Sequence, residues 1–222
     1  MEVRFLKTLF SGAREPVNSA THFIGAVLSV MGTVLLVFSA LRSETPRSLL
    51  IAGVVFGLSL TALYCASSLY HYVHCSAPAL LRLRKLDHAM IYVLIAGTYT
   101  PLLLAFSEGR EGLYLTLGIW AVALCGIAMK VVWMGAPRWL STVLYIAMGW
   151  AIVLDPAAIL RMPSGCLWLI ALGGLCYTLG AVIYALKKPN LFARFGFHEL
   201  FHIFVLLGSL LHFLAIYLFI IR

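Results

Sequence analysis

The sequence contains little charge. Only 11% of its 222 residues are Asp, Glu, Lys or Arg, whereas about a quarter of a soluble domain is charged. Apolar residues make up 63% of the chain, compared with about half of a soluble domain. A water-soluble core of this size cannot enclose so much apolar surface. A soluble fold is therefore excluded, and we interpret the chain as an integral membrane protein.

Acidic residues and paired cysteines are also scarce. Eight Asp and Glu stand against sixteen Lys and Arg, which gives a net charge of +8. In a membrane protein such an excess marks loops that face an anionic leaflet, so we expect no nucleic-acid partner. The five cysteines show no Cys-x-x-Cys spacing, and four lie in apolar runs, where a free cysteine behaves as a small hydrophobe. We therefore predict neither a disulfide nor a cysteine metal site.

Seven apolar runs are each long enough to cross a bilayer, which takes about 20 residues. The breaks between them contain Pro or Gly and are too short to hold a domain. The runs are continuously apolar and not alternating, which excludes barrel strands. We predict an all-α bundle of seven transmembrane helices over residues 19–222, after a short cytoplasmic segment over residues 1–18. The predicted spans 1 to 7 cover residues 19–41, 49–73, 87–107, 112–133, 139–160, 164–186 and 198–221.

Lys and Arg are unevenly distributed between the two ends of the predicted spans. Eleven lie at the end that holds the N-terminus and five at the other end. Because basic loops stay in the cytoplasm, we predict a cytoplasmic N-terminus and an outside C-terminus. This orientation is the reverse of that of rhodopsin-type receptors. The eleven are Arg4, Lys7, Arg14, Arg82, Arg84, Lys85, Lys130, Arg138, Lys187, Lys188 and Arg194, and the five are Arg42, Arg47, Arg110, Arg161 and Arg222.

Six of the seven histidines are predicted to lie in one layer, at the cytoplasmic ends of the spans. Only His212 lies elsewhere, because it follows His198 by about 21 Å of helix. Ionisable residues in membrane helices are costly and are functional-site candidates by default. The six are His22, His71, His74, His88, His198 and His202.

Two histidines of this layer have the spacing of metal ligands. His198 and His202 stand four residues apart, so their imidazoles project from one helix face, one turn apart. The sequence HELFH also matches the HExxH motif, in which the Glu, here Glu199, would be a general base. We favour a third ligand from another helix, with Glu199 facing elsewhere. Histidines that are only hydrogen-bonded to neighbouring helices are the alternative.

Further polar residues lie at the same depth. Ser67 precedes His71 by four residues, so its hydroxyl shares a helix face with the imidazole, and Ser68 is the alternative. Asp87 opens span 3 directly after a basic run. Taken alone, it fits a charge at a helix N-terminus or an ion pair with that run. Its depth among the histidines favours a functional role.

Three motifs give the chain a family resemblance. The segments SSLYH (67–71), LDHAMIY (86–92) and HELFH (198–202) resemble the hemolysin III family, which belongs with the progestin and adipoQ receptors and is distantly related to alkaline ceramidases. The opening EPVNSATHFIG (15–25) is similar to that family too, so the resemblance covers essentially the whole chain. It implies a zinc ion near the cytoplasmic surface, with His71, His198 and His202 as ligands and Asp87 and Ser67 close to the reacting water.

The resemblance implies hydrolytic chemistry. Three neutral imidazoles leave the fourth zinc position open for water, as in catalytic sites. Asp87 would act as general acid and base, and Ser67 would position the water or bind a developing oxyanion. Kinship with ceramidases implies zinc-dependent hydrolysis of a lipid amide or ester, with a membrane lipid as substrate or ligand. Without the long N-terminal region of eukaryotic receptors, we expect a bacterial member of the inner membrane, with a role in membrane lipid homeostasis.

Two non-enzymatic functions stay open. In a lipid-state sensor, zinc would only tie spans 2 and 7 together and would be closed by a fourth ligand such as His22, His88 or Asp87. In a pore, which the family name suggests, a ring of charges or a glycine-rich filter is expected, and the sequence contains neither.

Several residues are expected to support the site. His88 is a candidate to orient a ligand or the neighbouring carboxylate. Glu15, Asn18 and His22 are expected to cap span 1 and to hydrogen-bond to the site. The sequence assigns no oligomeric state.

Overall fold

The computed structural model describes residues 9–192 and 195–222, and it is helical, as predicted. Residues 1–8 of the N-terminal segment, with Arg4 and Lys7, lie outside the described residues, as does Arg194. An isolated bridge joins Phe192 to Phe195 in the turn before the last helix. The α-helices are α1 (Pro16–Arg42), α2 (Arg47–Tyr72), α3 (Ala77–Phe106), α4 (Glu111–Val132), α5 (Arg138–Gly149), α6 (Pro156–Arg161), α7 (Ser164–Leu186) and α8 (Phe197–Ile216).

Six helices of the described chain are long and apolar enough to cross a membrane. They are α1 to α4, α7, and α8 together with the π-helical turn that extends it to Ile221. Large apolar side chains such as Met31 and Leu124 are exposed on the outside, whereas polar Ser19 and Ser209 are buried. This is the inverse of the pattern of a soluble protein, and it fits a bundle whose outer surface contacts lipid. The chain is a multi-pass membrane protein.

Predicted span 5 is not one continuous helix. Three short helical segments take its place, and we call them the broken helical path. Helix α5 ends at Gly149 after 12 residues, fewer than the about 20 that cross a bilayer. A 3-10 turn (Ala151–Leu154) and α6 follow. Pro156 has no N–H to continue a helix, and Asp155 caps α6 by accepting a hydrogen bond from the Ala158 N–H at 2.9 Å.

The break after α5 is stabilised from α3. The Tyr99 hydroxyl donates to the Gly149 carbonyl and accepts from the Ile152 N–H, each at 2.8 Å. Backbone groups that a helix end leaves unpaired are therefore satisfied by one side chain of another helix. Asp155 also accepts a hydrogen bond from the Ser107 hydroxyl at 2.6 Å. The break is thus part of the packing against α3.

The main apolar core lies between α1, α2, α3 and the last helix. It contains the buried side chains of Leu36, Phe56, Leu94 and Ile216. Helices α1 and α2 approach closely at Gly57, where a Cβ atom would lie 2.2 Å from the Thr33 hydroxyl. This packing brings the C-terminal end of α2 beside the N-terminal ends of α1 and α8.

Candidate metal centre

Three histidines from two helices meet at one end of the bundle, which we call the histidine end. His71 lies in the last turn of α2, and His198 and His202 lie in the first two turns of α8. One ring nitrogen of each histidine lies within 4.8 Å of those of the other two. His71 and His202 are buried, and His198 is partly exposed. The arrangement can hold one metal ion, and we call these three residues the histidine cluster.

The chain that precedes α1 closes the C-terminal end of α2. The backbone N–H groups of Arg14 and Glu15 donate to the carbonyls of Tyr72 and His71, at 3.1 and 2.9 Å. The Arg14 guanidinium donates to the Tyr70 carbonyl at 2.9 Å. The last carbonyls of a helix have no partner within the helix, so these bonds stabilise its end. They also place the Glu15 side chain beside His71.

Glu15 orients His71. Its Oε2 accepts a hydrogen bond from Nδ1 of His71 at 2.5 Å. The other ring nitrogen, Nε2, is buried and has no hydrogen-bond partner among the described residues. A carboxylate that holds one nitrogen while the other faces a metal is the usual second partner of zinc-bound histidines. The unpartnered Nε2 and the three-imidazole donor set therefore fit a zinc ion.

Glu15 is ionised at neutral pH. Burial raises the pKa of this carboxyl, but the hydrogen bond to His71 and the charges of His71 and Arg14 outweigh burial and lower the pKa to about 2. The predicted helix-capping role of Glu15 is wrong. Glu15 stands at the N-cap position of α1, yet its side chain makes no cap bond there. Its carboxylate contacts the end of α2 instead.

Glu199 faces away from the histidine cluster. Its Oε2 accepts a hydrogen bond from the Gly196 N–H at 2.8 Å and so caps the start of α8. Its Oε1 accepts from the Asn18 amide at 2.8 Å. Both carboxylate oxygens therefore serve structure, which argues against the metalloprotease interpretation of HELFH. Asn18 also approaches Glu15 at 3.4 Å and so lies between the two carboxylates.

His22 stacks on His202. The two ring centroids are 3.6 Å apart and the planes differ by 8°. A metal ion lies in the plane of an imidazole that binds it, so two stacked parallel rings cannot direct nitrogens at the same ion. Both nitrogens of His22 are buried without a hydrogen-bond partner in the described part of the chain. The hydrogen bond predicted from His22 to the site is therefore not formed.

A cavity opens beside the histidine cluster. One end of it, which we call the polar end, is lined by Ser67, Asp87 and His88, together with His198 and His202. The Ser67 hydroxyl faces the Asp87 carboxyl, and neither belongs to the metal-binding group. The His88 carbonyl accepts a hydrogen bond from the Tyr145 hydroxyl at 3.1 Å.

The cavity runs between α3, α5, α7 and α8. It extends from Asp87 to Tyr99, which is about 18 Å along α3 at 1.5 Å per residue. Its wall beyond the polar end includes Ile91, Leu94 and Ile95. The cavity therefore has a polar end beside the histidine cluster and an apolar wall along α3.

The remaining predicted residues lie away from the metal-binding group. Ser68 joins α2 to α1, because its hydroxyl donates to the Ser19 carbonyl and the Ser19 hydroxyl donates to the Ser68 carbonyl, each at 3.0 Å. His212 joins α8 to α7, since its Nε2 donates to the Ile170 carbonyl at 3.1 Å. His74 is exposed in the turn after α2.

Three cations that predict the orientation in the sequence also line the cavity. Arg84, Lys130 and Arg138 line the same cavity as the histidines. The signal that could have identified one of them is the position of Lys130 inside an apolar run. It is 3% exposed.

The fold and the site define a multi-pass helical membrane protein with three clustered histidines at one end. The model of the family described as Haemolysin-III related matches residues 10–213, and the chain belongs to this family. It is 36% identical to Hemolysin-3 of Bacillus cereus over 204 residues, which cover 91% of this chain and 90% of the relative. It is 35% identical to the Hemolysin-3 homolog of Bacillus subtilis (strain 168) over 203 residues, which cover 90% and 92%. The predicted family resemblance is confirmed.

More distant relatives occur in animals. The chain is 26% identical to the human Monocyte to macrophage differentiation factor over 214 residues, which cover 92% of this chain and 84% of the relative. It is 28% identical to the Adiponectin receptor protein of Drosophila melanogaster over 233 residues, which cover 93% of this chain and 51% of the relative. These matches support the relationship to the adipoQ receptors.

Proposed function

We propose that the chain is a zinc-dependent hydrolase of a lipid amide or ester. The observation that carries the proposal is the open arrangement of the histidine cluster beside the cavity. Three ring nitrogens converge, and no fourth His, Cys, Asp or Glu of the described residues joins the group. A zinc site with three protein ligands and one open position is typical of catalysis, whereas structural zinc has four protein ligands.

Each residue of the polar end has a role in this chemistry. When bound, zinc acts as a Lewis acid and lowers the pKa of a coordinated water to about 7. His71, His198 and His202 would hold the ion as neutral imidazoles, and Glu15 would keep the proton of His71 on Nδ1. Asp87 would accept the proton of the attacking water and return it to the leaving nitrogen or oxygen.

Ser67 would support the same reaction from α2. Its buried hydroxyl faces Asp87, so it can orient that carboxyl or donate to the oxygen on which negative charge develops. Cleavage consumes one water and gives a carboxylic acid together with an amine or alcohol. The apolar wall of the cavity would hold the acyl chain of the lipid during this step.

We also propose the orientation and location of the chain. The broken path through α5 and α6 would make the seventh crossing, and the histidine end would face the cytoplasm of a bacterial inner membrane. Basic residues support this orientation, because basic loops stay in the cytoplasm. Three of them lie at the histidine end, where Arg14 contacts Tyr70, Lys85 contacts Val131 and Arg138 contacts Tyr184. Lipid turnover at this surface would serve membrane lipid homeostasis.

A second candidate is a membrane-state sensor. It is favoured by the way that Asn18 of α1 joins Glu15 beside α2 to Glu199 of α8. A metal ion in the histidine cluster would tie the same helices together without catalysis. The relatives named Hemolysin-3 add a third candidate, a permeabilising protein. Ion efflux from liposomes that contain the purified chain would support that function, and its absence would exclude it.

The first experiment is elemental analysis of the detergent-purified protein. We expect about one zinc per chain in the wild type and in His74→Ala, whose histidine is exposed, and no zinc in His71→Ala or His202→Ala. Zinc-loaded and chelator-treated protein are then compared on lipid amides and esters. Hydrolysis that persists after zinc removal would overturn the proposal, as would a wild type that binds no zinc after reconstitution.

A further inference from the structure

Three cations converge on the cavity close to the histidine cluster, and we call them the basic cluster. Arg84 lies near the start of α3, Lys130 in the last turn of α4 and Arg138 at the first position of α5. All three line the cavity. All three also lie within electrostatic range of the His88 imidazole, so they surround one part of the polar end.

The carboxylates of the described residues do not neutralise the basic cluster. The salt bridges of the described chain join Arg14 and His71 to Glu15, and Arg161 to Glu108, and none includes the basic cluster. Asp87 is the carboxylate within electrostatic range of Arg84. Three positive charges therefore face one negative charge, and partly buried cations without a counter-ion are unfavourable.

The positions of these side chains differ from those of ordinary cytoplasmic loop residues. Lys130 is 3% exposed and donates a hydrogen bond to the Ser141 hydroxyl inside the bundle. Arg138 lies over the Tyr184 ring, with Cζ 5.2 Å from the centroid. Its Nη1 is buried and has no hydrogen-bond partner among residues 9–192 and 195–222. The preference of basic loops for the cytoplasm does not explain why the Lys130 ammonium is buried. It also does not explain why Nη1 of Arg138 has no hydrogen-bond partner among these residues.

The chemistry of the basic cluster selects the ligand. Guanidinium groups bind phosphate oxygens with two parallel hydrogen bonds, and a lysine adds a compact positive charge. A net excess of two positive charges matches a phosphate monoester, which carries close to two negative charges at neutral pH, better than a carboxylate, which carries one. The apolar wall at Ile91, Leu94 and Ile95 continues from this position along α3.

We propose that the basic cluster binds the phosphate group of an anionic amphiphile, whose apolar chain occupies the cavity. The bound phosphate supplies the counter-ion that residues 9–192 and 195–222 do not provide, and it accepts the free hydrogen bond of Arg138. Binding does not require hydrolysis. The further step, that this lipid phosphate marks the substrate, rests on the proposed function.

The test measures the dissociation constants of three probes for the purified protein in an uncharged detergent. The probes are dodecyl phosphate, dodecanoate and inorganic phosphate. We expect dodecyl phosphate to bind most tightly. Arg138→Gln and Lys130→Met should each weaken its binding about tenfold to a hundredfold, as for lost hydrogen bonds to a charged group. Arg110→Gln, which removes an exposed charge at the opposite end, should leave the affinity unchanged.

Three results would contradict the proposal. Equal binding of dodecanoate would overturn the preference for phosphate, and equal binding of inorganic phosphate would overturn the assignment to an amphiphile. Unchanged affinity in Arg138→Gln would overturn the site, even where Lys130→Met fails to fold. The same titration of His202→Ala separates the two proposals. Retained phosphate binding without zinc would support this site independently of the proposed hydrolysis.

Discussion

Glu15 and His71 are 56 residues apart in sequence and joined by a hydrogen bond of 2.5 Å. Because the carboxylate only accepts, it holds a proton of the imidazole on Nδ1 and leaves Nε2 as the nitrogen available to a metal. The bond depends on the main-chain pairing of Arg14 and Glu15 with the end of α2. A segment outside the membrane helices thus determines the tautomer of a residue inside them.

Glu15→Gln should weaken zinc binding about 10-fold to 100-fold, because a neutral amide is a poorer partner for the imidazole than a carboxylate. The measurement is a competition titration with a metal chelator. Glu44→Gln, which changes an exposed residue in the turn between α1 and α2, is the control. An unchanged zinc affinity in Glu15→Gln would show that this carboxylate only stabilises the end of α2.

Asp87→Asn should retain zinc and reduce lipid hydrolysis about 10²-fold to 10⁴-fold, the usual contribution of a general acid or base. The amide cannot accept the proton of the attacking water. Zinc content and hydrolysis rate are measured on the same preparation, with the exposed Glu111→Gln as the control. Loss of zinc from Asp87→Asn would instead identify Asp87 as a fourth ligand and favour structural zinc.

Glu199→Gln should keep both zinc and activity, because the glutamine carbonyl oxygen can still accept from the Gly196 N–H and only the bond from the Asn18 amide is lost. Glu199→Ala should lower the free energy of unfolding by about 1 kcal/mol, the usual effect of a lost helix cap. Activity assays and thermal unfolding in detergent distinguish these effects. An inactive Glu199→Gln variant with normal stability would restore the metalloprotease interpretation of HELFH.

His22→Phe should retain one zinc per chain, because phenylalanine preserves the stack on His202 and no metal-directed nitrogen is lost. Elemental analysis beside His202→Ala provides the measurement. If His22→Phe loses its zinc while it stays folded, His22 moves into the coordination shell on metal binding. The zinc would then have four protein ligands, as in a structural site.

Tyr99→Phe should lower the free energy of unfolding by about 1–3 kcal/mol, because Gly149 and Ile152 lose the hydroxyl that pairs their backbone groups. Thermal unfolding in detergent is the measurement. Tyr114→Phe is the matched control, since Tyr114 is 62% exposed. Equal stabilities of the two variants would show that the break after α5 does not depend on Tyr99.

Local patterns in the sequence predict much of this fold. Apolar runs identify six of the membrane helices, since a spanning helix must be apolar over its whole length. The same criterion does not detect the break in span 5, because the apolar residues Trp150 and Ile152 continue the apolar run across it. The stabilising partner, Tyr99, belongs to another helix, and only packing shows the pairing.

The sequence likewise predicts only part of the candidate site. The spacing of His198 and His202 is a property of one helix, so the sequence is sufficient to place them on one face. The roles of Glu15 and Glu199 depend on contacts between distant segments. The sequence predicts a cap from Glu15, whose carboxylate pairs with His71 instead, whereas Glu199 accepts from the Gly196 N–H at the start of α8.

The histidine cluster would also constrain when the protein could bind a metal. His71 belongs to the second helix to be synthesised and inserted, whereas His198 and His202 belong to the last. Until the last helix has inserted, the ribosome-bound chain offers one histidine of the cluster and no chelating pair. Metal capture would therefore be a late event of biogenesis, possible only after α2 and α8 have packed together.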